Sequence, residues 1–295
     1  MDKWEERLIH LDHCRGIGWK AIYHILKKDR HLARIYDRSY NEWKQLLDLP
    51  QENLQNFYHD LHTLHIKRLL EQYAANQIEC LTISDSEYPP SLKNIFNPPW
   101  VLYTRGNQSL LSEACILAAV GSRKPGTYGL QVIKHLLPPL IKRGYVIASG
   151  LAAGIDTEAH KLAILHGGKT IGVLGSGLLQ IYPRENTGLA LEMMKKGIVI
   201  SEYSPFKKAE PWMFPNRNRI ISGLSAGVLL IEAKERSGSL ITAYHAMEQG
   251  KDVFAVPGSI LSPESRGTNK LIQDGAAPVL SWQDIEAEMS GSNQN

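Results

Sequence analysis

The stretches VGSRKPGTYG (120–129), IASGLAAGIDTEAH (147–160) and VLLIEAKERSGSLITA (228–243) share one plan: a short apolar run, a loop of small residues, then a helical pattern. Apolar runs of this length read as strands covered on both faces, as parallel strands are. A loop of glycine and hydroxyl residues opening a helix presents backbone N–H groups to an anion. Repeated along a chain, the plan predicts a parallel sheet whose carboxyl edge carries several phosphate-sized openings.

Working outward, the same alternation continues through IECLTI, WVLYTRG, CILAAV, YVIAS, KTIGVLG, IVISEY and DVFAVPG. The expected fold class is therefore α/β, an extended Rossmann-like, doubly wound, mostly parallel sheet. Residues 1–75 contain no strand-like run, but Leu8, Leu11, Ile22, Ile25 and Leu26, and later Leu61, Leu64, Leu69 and Leu70, recur at helical spacing. A small all-helical domain over 1–75 thus precedes a sheet domain over 76–285, with a polar tail over 286–295 that ends in SGSNQN. Pro89 and Pro90, with Pro98 and Pro99, read as the rigid connection between the two domains. Arg15-Gly16-Ile17-Gly18 resembles a helix-hairpin-helix turn whose N–H groups face a phosphate, and a plain tight turn fits it as well.

A chain of 295 residues with 43% hydrophobic content can bury a full core. No apolar run approaches the roughly 20 residues that span a bilayer, and the start, Met1 to Glu6, lacks the plan of a secretion signal, so a cytoplasmic location is expected. Cys14, Cys80 and Cys115 read as buried thiols rather than disulfides or ligands. A net charge of +3 does not by itself announce a nucleic-acid binder, so any basic site must be local. Lys207, Lys208, Arg217 and Arg219, opposed by Glu210, form one such region; a solvated charged loop is the other reading.

The loops supply the candidate binding residues. Gly121 allows close backbone approach, Ser122 offers a hydroxyl and a cap, and Arg123 can grip phosphate with two N–H groups; a capped turn with a surface arginine is the alternative. Gly150 and Gly154 follow the next strand, and Asp156 reads as the N-cap of the helix after it. Gly175, Ser176 and Gly177 resemble part of a dinucleotide fingerprint. Gln180 stands where that fingerprint needs glycine, and no acidic residue closes the next strand in the ribose-binding manner, which disfavours a nicotinamide enzyme; no cofactor is expected. Tyr182 and Arg184 offer a stacking face and a cation. Arg217, Asn218 and Arg219 suit phosphate and base-edge contacts. Ser237, Gly238, Ser239 and Thr242 open a helix in the way anion sites do. His59, His62 and His65 share a helical face without further ligands and read as a polar surface, so no metal site is assigned.

Taken in order, GSR, SGLAAGID, GGKTIGVLGSGL with IYP and EN, SEY, FPNRNRIISGLS, EA, SGSLITA, FAVPG and GTNKLIQDGA resemble the bacterial DNA-processing protein A family, also called Smf, over about residues 80–280. The helical part fits that family's sterile-alpha-motif or helix-hairpin-helix-like module. The resemblance implies a Rossmann domain that binds single-stranded DNA, protects it during natural transformation in competent cells, and loads RecA onto it, with single-stranded-DNA-binding protein as a further partner. It makes Arg123 a binding residue and Lys169, Arg184, Arg217 and Arg219 the matching candidates in neighbouring loops. It also implies a homodimer formed through the C-terminal part of the domain, here Asn269, Leu271, Ile272, Pro278 and Val279; core packing is an equally good local reading of those residues. Three departures bear on the strength of binding. The chain stops at Asn295 where many relatives continue into a winged helix, Ala153 stands where relatives often carry a basic residue, and Leu179 stands where many carry an acid.

The alternative is a nucleotide-processing enzyme. VLLIEAKERSGSLITA is reminiscent of nucleoside-monophosphate phosphoribohydrolases, whose loop glutamate works at the reacting sugar. Thr242 occupies that position here, so acid–base chemistry would fall to Glu202 or Glu232 near strand ends. No catalytic residue is assigned.

Overall fold

A capping box opens the chain in the computed structural model, which describes residues 2–292. Asp2 accepts the Trp4 and Glu5 N–H groups while the Glu5 carboxylate accepts the Asp2 N–H, so two of the helix's orphan donors are satisfied. Helices α1 (Lys3–His13), α2 (Trp19–Lys28), α3 (Tyr40–Leu46), α4 (Gln51–Thr63) and α5 (Ile66–Ala75) follow, then strand β1 (Glu79–Thr82). Ser39 and Glu42 repeat the box at α3, and Trp43 packs edge-on to Phe57, both fully buried. The chain continues through α6 (Pro90–Lys93), β2 (Val101–Gly106), β3 (Ile116–Val120), α7 (Thr127–Lys142), β4 (Val146–Ser149), α8 (Ile155–Leu165), β5 (Thr170–Val173), α9 (Thr187–Lys196), β6 (Ile198–Ser201), α10 (Met213–Leu224), β7 (Gly227–Leu230), α11 (Gly238–Glu248), β8 (Asp252–Ala255), α12 (Arg266–Gln273), β9 (Ala277–Pro278) and α13 (Trp282–Ser292).

The chain divides into two units. The first runs to Tyr88 and takes in Asn97–Tyr103; the second comprises Pro89–Phe96 and everything from Thr104 onward. The division falls later than residue 75, and the chain passes between units at more than one point instead of through a single linker. Paired prolines sit at or just beyond two of those passages. Residues 286–292, expected in the polar tail, are helical within α13; the remainder of SGSNQN lies outside the described residues.

In the first unit the Arg15–Gly18 turn is built for packing. Gly16 sits at φ +81°, and a Cβ there would lie 2.0 Å from the Asn53 carbonyl oxygen. Arg15 donates from its backbone N–H and its guanidinium to Asp60 at 2.7–2.9 Å, so its charge is already paired. Those bonds hold the Asp60 carboxyl below its ordinary value. Arg15 is mostly solvent-exposed, so Asp60→Asn is expected to cost only about 1–2 kcal/mol at neutral pH. Because the folded value is depressed, this stabilisation is present above the ordinary carboxylate range and disappears as pH falls through the folded value. Thermal unfolding of both proteins at neutral and acidic pH checks it: the melting curves should differ at neutral pH and converge in acid.

The second unit explains the apolar strands. Every residue of β3 is buried, because helices cover both faces of the sheet. Leu117, Ile147, Leu229 and Phe254 from the sheet interlock with Ile133, Leu137, Leu140 and Ile155 from α7 and α8. The strands run β6-β5-β4-β3-β7-β8-β9, and each adjacent pair is parallel. From β3 the chain steps outward through β4, β5 and β6, then returns to place β7 on the other side of β3. The order therefore reverses between β3 and β7, which is where a doubly wound sheet opens a crevice at its carboxyl edge. β9, centred on Pro278, was not legible as a strand; at the sheet edge it pairs only through Ala277 and Pro278.

Candidate nucleic-acid interface

A cleft of about 500 Å³ lies at this reversal point. Its walls are the loop after β3 (Gly121 to Lys124), the start of α8, the first turns of α10 from Phe214 to Ile221, and the loop from β7 into α11 (Lys234 to Ser239). Of the residues singled out in the sequence, the fold gathers Gly121, Ser122, Arg123, Arg217, Asn218, Ser237, Gly238, Ser239 and Thr242 around it.

Their roles divide sharply. Arg123 is exposed, its guanidinium 5.6 Å from the Phe214 ring centroid, and Lys124 and Arg236 are exposed beside the same cleft. Among the described residues, none of these cations has an ion-pair partner. Ser237 caps α11 by accepting the Ser239 N–H, the Ser237 and Leu240 N–H groups are bonded to the Lys234 and Ser237 carbonyls, and Gly238 faces open space, so Gly238 is where a ligand can approach the backbone of this helix start. Thr242 is buried in the cleft floor.

Arg217, by contrast, is a floor timber. It is 4% exposed, donates to the Gly150 carbonyl at 2.5 Å and to the Val173 carbonyl, and its Nε donates to Asn218 Oδ1 at 3.2 Å. Burial lowers its pKa to about 10, with Asp156 pulling the other way, so it stays cationic at neutral pH. Asp156 does not cap α8. That position belongs to Gly154 at φ +84°, and the Asp156 carboxylate turns back to accept the Gly150 N–H at 3.1 Å. The Gly150 peptide thus lies between the two charges, and burial raises the Asp156 carboxyl against the pull of Arg217. Asn218 donates to the Gly238 carbonyl, tying α10 to the α11 loop.

Several expected contacts are reassigned by packing. Arg219 is buried and bound to Glu202 through two hydrogen bonds of 2.6 and 3.1 Å, so its charge is not open to a strand. Lys207 is paired with Glu210 at 2.5 Å. Lys169 immediately precedes β5, which puts it at the amino edge of the sheet, opposite the cleft. Gly175, Ser176 and Gly177 follow β5 at the correct edge but are buried: a Cβ on Gly175 would meet Phe214, and one on Gly177 would meet the Ser204 and Pro205 carbonyls. Gly121 and Gly150 are likewise filled from behind, by Ile155 and by the Arg217 guanidinium. Arg184 is exposed but does not line the cleft. Tyr182 is half exposed, with its ring 5.5 Å from that of Phe214.

Phe214, Lys124, Lys234, Arg236 and Glu264 also line the cleft, and no local pattern in the sequence marks them as binding residues. Lys234 and Arg236 sit in a stretch already quoted, where a charged loop gave no sign of which side it faced. Glu264 reaches in from a distant segment, which no local pattern reveals: it accepts from Ser122 Oγ at 3.3 Å and pairs with Lys234 at 3.1 Å. An acid at the mouth of an anion cleft opposes its ligand, so Glu264→Gln is expected to tighten oligonucleotide binding about two- to fivefold at low salt by freeing Lys234. A titration in which the variant binds more weakly would show that Glu264 holds the loop in its working position instead.

The acids considered for catalysis both have structural partners. Glu202 holds Arg219, and the buried Glu232 accepts the Gly126 and Gly129 N–H groups, capping α7. Among the described residues there is no His, Cys, Asp and Glu group suited to a metal ion, and no helix long and apolar enough to cross a membrane.

At the proposed dimer face, Leu271 and Val279 belong to the core, at 0% and 2% exposure, which corrects their reading as contact residues. Asn269 clamps Gly258 through donor and acceptor bonds of 2.9 and 3.1 Å. Ile272 is partly exposed and Pro278 exposed.

The chain is thus an α/β protein with a doubly wound sheet, a cation-rimmed cleft at the sheet's reversal point and aromatic rings beside it. The family model described as DNA recombination-mediator protein A matches residues 79–290, and the chain belongs to that family. It is 46% identical to the DNA processing protein DprA of Bacillus subtilis (strain 168) over 243 residues, covering 82% of this chain and 80% of that protein. With DprA of Streptococcus pneumoniae (strain ATCC BAA-255 / R6) it shares 43% identity over 231 residues, 78% of this chain and 79% of that one. The X-ray structure of DNA processing protein A from Streptococcus pneumoniae superposes with a TM-score of 0.85 at 36% identity, over 98% of this chain and 99% of that one. DNA processing protein A from Helicobacter pylori, whose structure addresses its single-stranded DNA binding mode, gives a TM-score of 0.66 at 30% identity, over 73% of this chain and 97% of that one.

Proposed function

We propose that this chain binds single-stranded DNA in the β3–β7 cleft and acts as a recombination mediator, protecting incoming strands and loading RecA onto them during natural transformation. The observation that carries this reading is the set of unpaired cations Arg123, Lys124 and Arg236 around a cleft that is open at Gly238, beside the Phe214 and Tyr182 rings. Phosphates supply salt-sensitive affinity and exposed rings supply stacking that duplex bases cannot use. The single-strand binding of the Helicobacter pylori relative supports the same ligand. Action in the cytoplasm, exchange with single-stranded-DNA-binding protein, and self-association through the α12–β9 face at Ile272 and Pro278 belong to this proposal.

Titration of a labelled oligothymidylate and of a duplex across a salt series tests it. Single strands should bind more tightly, with a logarithmic salt slope of about −0.7 per phosphate neutralised. Equal affinity for both forms at every salt concentration would remove the basis of the proposal. RecA filament growth on a strand coated with single-stranded-DNA-binding protein should then quicken when this protein is added.

A further inference from the structure

In the helical unit, Trp100, Trp19 and Tyr23 form one continuous stack. The indoles lie 5.1 Å apart at 19°, and Trp19 and Tyr23 lie 5.4 Å apart at 11°. The inner rings are pinned, since Trp19 Nε1 donates to the Pro98 carbonyl at 2.7 Å and Trp100 Nε1 to the Trp19 carbonyl at 3.2 Å. The outer ring, Tyr23, is 45% exposed, so the ladder ends in solvent with a ring face held in a fixed plane. Aromatic pairs of a closed core, such as Trp43 and Phe57 here, meet edge to face and are fully buried; this array is neither.

The helix that carries Trp19 and Tyr23 bears charge of one sign. Helix α2 reads WKAIYHILKK and contains no acid. Tyr23 and Lys27 lie one turn apart on the Trp19 face, and Lys20 and His24 lie one turn apart beside them. Asp29, which follows the helix, has its carboxylate occupied by the Ala33 and Arg34 N–H groups.

We propose that the Tyr23–Trp19–Trp100 ladder is a second single-strand site, stacking an unpaired base on Tyr23 while Lys20 and Lys27 neutralise its phosphates. This rests on the reading that the chain binds single-stranded DNA, and it adds a contact that the sheet cleft does not supply. The run of lysines favours a polyanion over a proline-rich peptide, which would need the rings alone.

The test uses the full chain, with oligothymidylates of about 6 and about 40 nucleotides that carry photoreactive halogenated uracils. The Tyr23→Ala, Lys27→Ala double variant should weaken binding of the long strand about fivefold or more and leave the short strand unchanged, whereas Arg123→Ala should weaken both. Tyr23→Phe should retain long-strand affinity, because stacking needs only the ring. Crosslinks mapped by mass spectrometry should include Trp19 or Tyr23. Wild-type affinity of the double variant for the long strand, absence of crosslinks between residues 19 and 28, or binding of a proline-rich peptide at Tyr23 in place of the strand overturns the inference while leaving the cleft intact. A wild-type protein that holds neither strand overturns the functional reading and this site with it.

Discussion

Arg217→Ala is expected to destabilise the sheet unit by about 3–5 kcal/mol, far more than a surface arginine would. Its guanidinium satisfies two buried carbonyls, on Gly150 and Val173, at the carboxyl ends of neighbouring strands. It also provides the countercharge to Asp156, whose carboxyl is already raised by burial. Alanine would leave both carbonyls without this donor and the carboxyl without its cation. Lysine should recover little, since a single ammonium cannot reproduce the planar, forked set of donors. Urea unfolding of the purified variant measures the loss. A change below about 1 kcal/mol would mean that the group is solvated, contrary to its burial. Weaker DNA binding by this variant should follow from lost structure and be accompanied by a lower unfolding midpoint.

Arg123→Ala should behave in the opposite way. The side chain is exposed and stands over Phe214, so its removal should spare folding. A charge-assisted contact to phosphate contributes on the order of 1.5–3 kcal/mol, which predicts roughly tenfold or weaker binding to single strands. The salt slope should also become shallower by about 0.7, the signature of one lost phosphate contact. Oligonucleotide titration at several salt concentrations, with thermal melting recorded alongside, separates the outcomes. Unchanged affinity would show that Arg123 faces away from the strand.

These two arginines illustrate what local pattern conveys and what it does not. Apolar runs mark eight strands, of which β3 to β7 are buried along their whole length, and the small-residue loops locate the edge where the cleft opens. Polarity of the sheet also follows from sequence: a residue before a strand, such as Lys169, lies at the wrong edge. What local pattern does not convey is which basic side chains point inward. Arg123, Arg217 and Arg219 look alike in the sequence, yet one is free, one braces two strand ends and one is bound to Glu202. Glycine was ambiguous in the same way. Among the sheet-loop glycines read as phosphate-facing, Gly238 opens onto free space, whereas Gly121, Gly150, Gly154, Gly175 and Gly177 admit other parts of the protein. The contribution of Glu264 depends on a contact across 142 positions of sequence, beyond the reach of any motif.

The passage of the chain back into the helical unit at Asn97–Tyr103 constrains how this protein can be cut or inherited. Removing everything before Pro89 would strand that return segment without the neighbours it packs among, and grafting the helices elsewhere would leave them missing Trp100 and Tyr103. The chain crosses between the units at three points, so no single cut separates them without leaving a segment of one attached to the other.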